Sequence, residues 1–139
     1  MVTVRTSKSK GSQFEYHCHA SLKQRYEDIL LTKQQGFQLQ FDLVSHTYKL
    51  AVECKRLKAI SWEQAKKYLK KLGSHAPEGY EPFLLFKSNH QPCLVMYWVD
   101  STEVIKGHHP IVEEFEHHFK VPFIKHKSTR AKKGVSSND

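Results

Sequence analysis

Three charged residues set among apolar neighbours are the part of this sequence best suited to chemistry: Asp42, and Glu53 with Lys55 two positions further on. Phe37, Leu39, Phe41 and Leu43 alternate with polar residues across residues 37–44, and Tyr48, Leu50, Val52 and Cys54 do so across residues 48–57. That period of two predicts two strands. Glu53 and Lys55 then point to the same side of theirs. The short join Ser45-His46-Thr47 predicts an antiparallel hairpin. A turn centred on Thr47-Tyr48 sets Asp42 opposite Glu53, with Cβ atoms roughly 4.5–5.5 Å apart. Opposed carboxylates repel unless something neutralises them, and a divalent cation does so. A hard cation held by carboxylates polarises a phosphate and lowers the pKa of an attacking water, which is what phosphodiester hydrolysis needs. Magnesium keeps several of its waters and takes one or two protein carboxylates, matching so sparse a set, and manganese should substitute for it. The ammonium of Lys55 could orient the water or hold the phosphate. The competing reading is a solvated strand face with an ordinary salt bridge. The flanking strand patterns, the turn position and the basic charge together favour the metal.

The elements that must hold these residues follow from periodicity. Phe14, Cys18, Leu22, Tyr26, Ile29 and Leu30 recur at three- and four-residue spacing and predict a helix from Ser12 to Lys33, with Ser12 and Glu15 as a capping box. A second helix is expected from Ser61 to Leu72, ending at Gly73, with Ala65, Tyr68, Leu69 and Leu72 on one face. Two apolar runs, Pro82–Lys87 and Cys93–Val99, read as buried strands, and Pro110–Phe119 as a last helix. The expectation is an α/β domain with a mixed sheet, in the order α-β-β-α-β-β plus a C-terminal helix. Residues 1–10 are expected to be a flexible basic arm, residues 11–120 the domain, and residues 121–139 a basic, disordered tail.

Composition narrows the partners. The chain of 139 residues carries 22 Lys and Arg against 14 Asp and Glu, a net charge of +8. Such a balance favours a polyanion, nucleic acid first. Lysines outnumber arginines 18 to 4, which suits phosphate contact more than reading of base edges. The candidate contacts are Lys8, Lys10, Ser12, Arg56, Lys58, Lys66, Lys67, Lys70 and Lys71. No apolar run approaches the length of a membrane span, and the N-terminus has no secretory pattern, so an intracellular protein with no membrane partner is expected. Three scattered cysteines fit reduced thiols. The ten histidines include adjacent pairs but lack the spaced pairs of a zinc site. A Gly-rich phosphate loop and a G-x-S-x-G elbow are also missing, which removes the nucleoside-triphosphatase and serine-hydrolase classes.

The segment Phe41-Asp42, followed by Glu53-Cys54-Lys55, resembles the PD-(D/E)XK signature of restriction-endonuclease-like nucleases, with Phe41 in place of the usual proline. Within that class, Lys10-Gly11-Ser12-Gln13-Phe14-Glu15 is similar to the entry of archaeal-type Holliday-junction resolvases. That resemblance covers about residues 8–99 and implies that Glu15 joins Asp42 and Glu53 in the metal shell. Gln64 and Tyr68 resemble the Q-x-x-x-Y helix of RecB-type nucleases, which implies a positioning role for Gln64; read locally, Gln64 caps its helix with Ser61. The function implied is a magnesium-dependent endodeoxyribonuclease that cuts four-way DNA junctions as a homodimer, through Glu15, Asp42, Glu53, Lys55 and Gln64. The alternatives are a restriction-, homing- or nicking-type enzyme of a mobile element, and a nuclease-derived DNA-binding subunit that has lost activity.

Overall fold

Phe14, Cys18 and Leu22 stand four residues apart on helix α1 (Val2–Lys23), and all three are buried. Four-residue spacing stacks them on one face, which packs against the sheet. The computed structural model describes residues 2–34 and 40–125, with the side chains of residues 13–34 and 40–125 other than Ser101 and Ile105. Two expectations change here. Residues 2–10, predicted as an arm, are part of α1, so Ser12 lies inside the helix and is not its N-cap. The helix also ends at Lys23 rather than Lys33. Arg25 and Tyr26 both donate their N–H groups to the Leu22 carbonyl, closing the last turn. Beyond it, buried Ile29 and Leu31 flank exposed Leu30, a period of two that overlies the helical one. That stretch forms the short strand β1 (Leu30–Leu31) and a 3-10 turn at Thr32–Gln34.

The chain is an α/β protein built on a six-stranded mixed sheet flanked by helices, with the strands in sequential order. Strand β2 (Leu43–Ser45) pairs antiparallel with β1 and with β3 (Leu50–Arg56). Leu43 lies opposite Val52 and Ser45 opposite Leu50, the register that a turn at Thr47-Tyr48 requires. Asp28 fixes that turn by accepting from Ser45 Oγ at 2.6 Å and from the Thr47 N–H at 2.9 Å. Although burial works against its charge, these hydrogen bonds outweigh it and hold Asp28 below the usual carboxylate range. The predicted strand 37–44 is shorter than expected. Gln40–Asp42 is a bend, and residues 37–39 lie outside the described residues.

Helix α2 (Trp62–His75) carries the chain over to β4 (Glu81–Lys87), which pairs parallel to β3. Its N-terminus is a capping box: Ser61 Oγ accepts from the Gln64 N–H, and Gln64 Oε1 from the Ser61 N–H, each at 3.1 Å. It runs past Gly73, the predicted stop. Strand β5 (Leu94–Tyr97) follows, then the one-turn helix α3 (Ser101–Ile105). The predicted helix Pro110–Phe119 is in fact strand β6 (Ile111–Glu114) leading into a short helix α4 (Phe115–Phe119). The cause is visible in the pairing of Met96 with Val112 and of Tyr97 with Ile111, which satisfies this backbone along β5. Only Phe115 and Phe119, four apart, keep helical spacing. The order expected from the sequence therefore lacks β1, α3 and β6.

The sheet separates two cores. On one face α1 and α4 cover Leu43, Val52, Leu85 and Val95; on the other α2 covers Val44, Ala51, Leu84 and Met96. The first core extends past the predicted domain end at residue 120. Phe123 packs its ring 5.2 Å from Phe115 and 6.1 Å from Phe14, and the Ile124 N–H donates to Ser21 Oγ at 2.7 Å. Residues 121–125 thus belong to the domain, while the rest of the expected tail, 126–139, lies outside the described residues. Phe119→Ala should cost about 3–5 kcal/mol and lower Tm by roughly 10 °C or more in a thermal melt. An unchanged Tm would take α4 out of the core. Among the described residues no helix is long and apolar enough to cross a membrane.

Candidate active site

Asp42 is placed by its backbone. It follows the bend at which the chain enters β2, with its N–H donating to the Val52 carbonyl at 3.0 Å and its own carbonyl accepting from the Thr32 N–H at 2.9 Å. Thr32 is buried, and its hydroxyl also donates to the Phe41 carbonyl, so the bend is tied on the β1 side as well. The pairing of β2 with β3 stops at Val52, and beyond it the Cys54 N–H turns to the Asp42 side chain, reaching Oδ2 at 2.8 Å. One carboxylate oxygen is therefore engaged by the sheet.

Glu53 and Lys55 lie on the same face of β3 as Ala51, the face covered by α2. Lys55 Nζ stands 3.2 Å from Glu53 Oε2 and 4.8 Å from the centre of the Tyr68 ring, so helix α2 positions the ammonium through a cation–π contact. Both members of the pair are largely covered, with 19% of the Glu53 side chain and 31% of the Lys55 side chain exposed.

The electrostatics show a strained acidic pair. Burial pushes Asp42 up to about 7, and the Glu53 carboxylate adds to the rise; the Cys54 hydrogen bond and Lys55 only partly oppose it. Glu53 is also raised, by burial first, although Lys55 and Lys71 favour its charge. Burial works against the Lys55 ammonium, but Glu53, Tyr68 and Asp42 outweigh it and leave its pKa above the usual value. A divalent cation bound between these carboxylates would favour their charged forms.

The expected residues do not all converge equally. Glu15 is close enough to raise Asp42 and Glu53, but its carboxylate is paired with Lys33 at 3.2 Å. Among the described residues no three His, Cys, Asp or Glu side chains form a ready cage for an ion. An ion at this place would have two carboxylates, Asp42 and Glu53, as its protein donors, with Glu15 beside them. Two carboxylates suit magnesium, which keeps most of its waters, better than zinc, which is closed by three or four protein ligands. Gln64 directs its amide oxygen to the Ser61 N–H, so its visible role is the helix cap. Lys71 is near enough to act on Glu53, while Lys66 donates to the Gly107 carbonyl at 3.2 Å. Lys67, Lys70 and Lys58 are exposed, and Arg56 is hydrogen-bonded to Asn89. The side chains of Lys8, Lys10 and Ser12 lie outside the described residues.

Thr32 ties the bend before Asp42 without having been singled out by spacing: it falls inside what periodicity reads as helix, so nothing local reveals its role. Tyr68, the tyrosine of the Q-x-x-x-Y spacing and a core residue by periodicity, meets the site through its ring contact with Lys55. Lys55→Ala should lower a cleavage rate by about a hundredfold, with little change in DNA affinity. Single-turnover cleavage and fluorescence anisotropy read the two effects separately, and an unaltered rate would remove Lys55 from the site. Compared with protein-family models, with curated proteins and with solved structures, the chain finds no match.

Proposed function

We propose that this chain is a magnesium-dependent DNA endonuclease that hydrolyses phosphodiester bonds, working as a homodimer on four-way junctions. The observation that carries the reading is the partly buried Asp42–Glu53 pair, with Asp42 displaced to about 7 and a lysine ammonium 3.2 Å from Glu53. Such a pair weakens a fold unless it binds something, and buried carboxylates with displaced pKa values are frequent at functional sites. The nucleic-acid substrate is favoured by the net charge of +8 and by Lys66, Lys67, Lys70 and Lys71 along α2, the helix beside the pair.

When bound, magnesium supplies Lewis-acid polarisation of the scissile phosphate and an acidified water. The chain's own residues do the rest. Asp42 and Glu53 would hold the ion, and Asp42 is aimed by the Cys54 N–H. Lys55 is fixed between Glu53 and the Tyr68 ring and holds the phosphate or the attacking water in line. Glu15, paired with Lys33, would be the third carboxylate beside the ion. Manganese should replace magnesium, since both take oxygen ligands.

A two-fold dimer would let two such sites incise opposing strands of a junction. The apolar run Cys93–Val99, which contains β5, or the Pro110–Phe119 segment could supply its surface. Cys93, Val95 and Met96 are already buried within the chain, which disfavours β5. Strand β6 ends the sheet, with Val112 exposed, and is the better candidate.

The experiment is cleavage of a synthetic four-way junction beside linear duplex, in magnesium and in EDTA. Paired symmetric cuts in the junction alone, abolished by EDTA, are expected. Cutting of linear duplex would move the chain to the restriction or nicking class. Binding with no cleavage of either would make it a DNA-binding subunit.

A further inference from the structure

Arg56 and Lys87 end the two parallel strands β3 and β4, and the sheet register sets them side by side. Both belong to the face that packs against α1, opposite the one bearing Glu53 and Lys55. Beside them lies a cavity of about 290 Å³, lined by Gln13, Phe14 and His17 of α1, by Asn89 and His90, and by Lys125 with Arg56 and Lys87. A water occupies about 30 Å³ of liquid, so the space admits a phosphoryl group with its waters.

The charges here are one-sided. Three cations line the cavity together with two histidines, and among the described residues no acid lines it. Lys87 is only 6% exposed as a residue, and it lines both this cavity and its neighbour. Its ammonium donates to the Ser88 carbonyl at 3.3 Å, and none of the ion pairs among the described residues involves Lys87, Arg56 or Lys125. The adjoining cavity does contain Glu114 and Glu116, neither within ion-pair distance of these lysines; Glu116 accepts from the Phe123 N–H at 2.8 Å instead. A lysine whose stem is covered, with two other cations beside it and no carboxylate of the described residues within ion-pair distance, favours an anion that completes the group. The crowding is evident in Lys87, whose pKa is lowered by burial and then by Lys125 and Arg56.

We infer that this cavity is a second phosphate site, in which Lys87, Arg56 and Lys125 hold a backbone phosphate of the nucleic acid away from the scissile bond. Glu53 and Arg56 are three positions apart on β3, about 10 Å along the strand, with side chains on opposite faces. The bound phosphate therefore lies around the end of the sheet from the catalytic pair. A straight duplex lying on the acidic face would not reach it, whereas a strand that bends or branches would. The inference rests on the nucleic-acid reading above and makes this site the part that selects bent or branched substrate.

The test is DNA affinity in EDTA, by fluorescence anisotropy across a salt series, with the full chain. Lys87→Met keeps the covered stem and removes the charge. Arg56→Gln with Lys125→Gln removes charge from less buried positions and decides the matter if Lys87→Met fails to fold. Each should weaken four-way-junction binding about tenfold or more and flatten the salt dependence by about one unit per lost cation, with a smaller effect on linear duplex. Unchanged affinity in folded variants would overturn the inference, even if the protein cleaves DNA. Weakened binding would uphold it even if no cleavage is found, so the two readings fail separately. Thermal melts in inorganic phosphate against chloride separate the sources. Phosphate protection lost in the variants, with DNA affinity intact, would make this a free-phosphate pocket and overturn the strand assignment.

Discussion

Asp42→Asn and Glu53→Gln should each slow DNA cleavage by about a thousandfold or more, while DNA affinity stays level or rises. The two halves of that result have one cause. Each substitution removes an anion that holds the cation, so the stabilisation of developing charge on the phosphate is lost. Each also removes an anion that repels the backbone when no cation is present. Asp42→Asn keeps the shape and one acceptor oxygen for the Cys54 N–H, 2.8 Å from the native carboxylate, so the local backbone should survive. Glu53→Gln loses the ion pair with Lys55 as well, and its rate should fall at least as far. Single-turnover rates beside anisotropy measure both halves. A rate within tenfold of the unaltered protein in either variant would place the chemistry elsewhere.

The same variants should be more stable than the unaltered protein when metal is absent and the pH is high. Asp42 ionises near 3.8 when unperturbed and near 7 in the fold. Between those values the folded chain keeps a proton that the unfolded chain has released, so stability falls as the pH rises. The contribution is fully present below about 3.8 and is lost as the pH passes about 7, a span worth about 4 kcal/mol. Glu53 is raised as well and adds in the same sense. Denaturant melts in EDTA from pH 5 to pH 8 should therefore show the unaltered protein losing about 3 kcal/mol relative to Asp42→Asn. Magnesium should restore most of that loss at pH 8 in the unaltered protein and little of it in the variant. Parallel pH profiles for the two proteins would mean that Asp42 ionises normally, and the acidic pair would lose its significance.

The sequence shows the centre of this site more clearly than its surroundings, for a physical reason. Alternation fixes which face each strand residue takes, and the short turn fixes register, so spacing alone predicts that Asp42 faces Glu53. The register of Leu43 with Val52 follows that turn, but the ladder ends there: Asp42 lies in the bend before β2 and meets β3 through the Cys54 N–H instead of as a paired residue. What spacing cannot supply is the contact between distant segments. The Lys55–Tyr68 contact and the Thr32 tether depend on how α2 and β1 dock, which no local pattern encodes. The same is true of the cavity between α1 and the ends of β3 and β4. Two elements misread from sequence have related causes. Ile29 and Leu31 satisfy a helical and a strand period at once, and pairing with β2 decides for the strand. Ile111–Glu114 likewise yields to pairing with β5, against the helix suggested by Pro110 and the phenylalanines after it. The helix at residues 2–10 was masked by a polar, basic composition that lacks core positions.

The claim on which the account depends is that Asp42 and Glu53 hold a divalent cation, and titration calorimetry with manganese tests it most directly. Binding measured near pH 6.5 in buffers of different ionisation enthalpy also counts the protons released. The account predicts saturable binding, accompanied by release of close to one proton from the Asp42–Glu53 pair and lost in both Asp42→Asn and Glu53→Gln. Binding of equal strength in the two variants, or none in the unaltered protein, would contradict it.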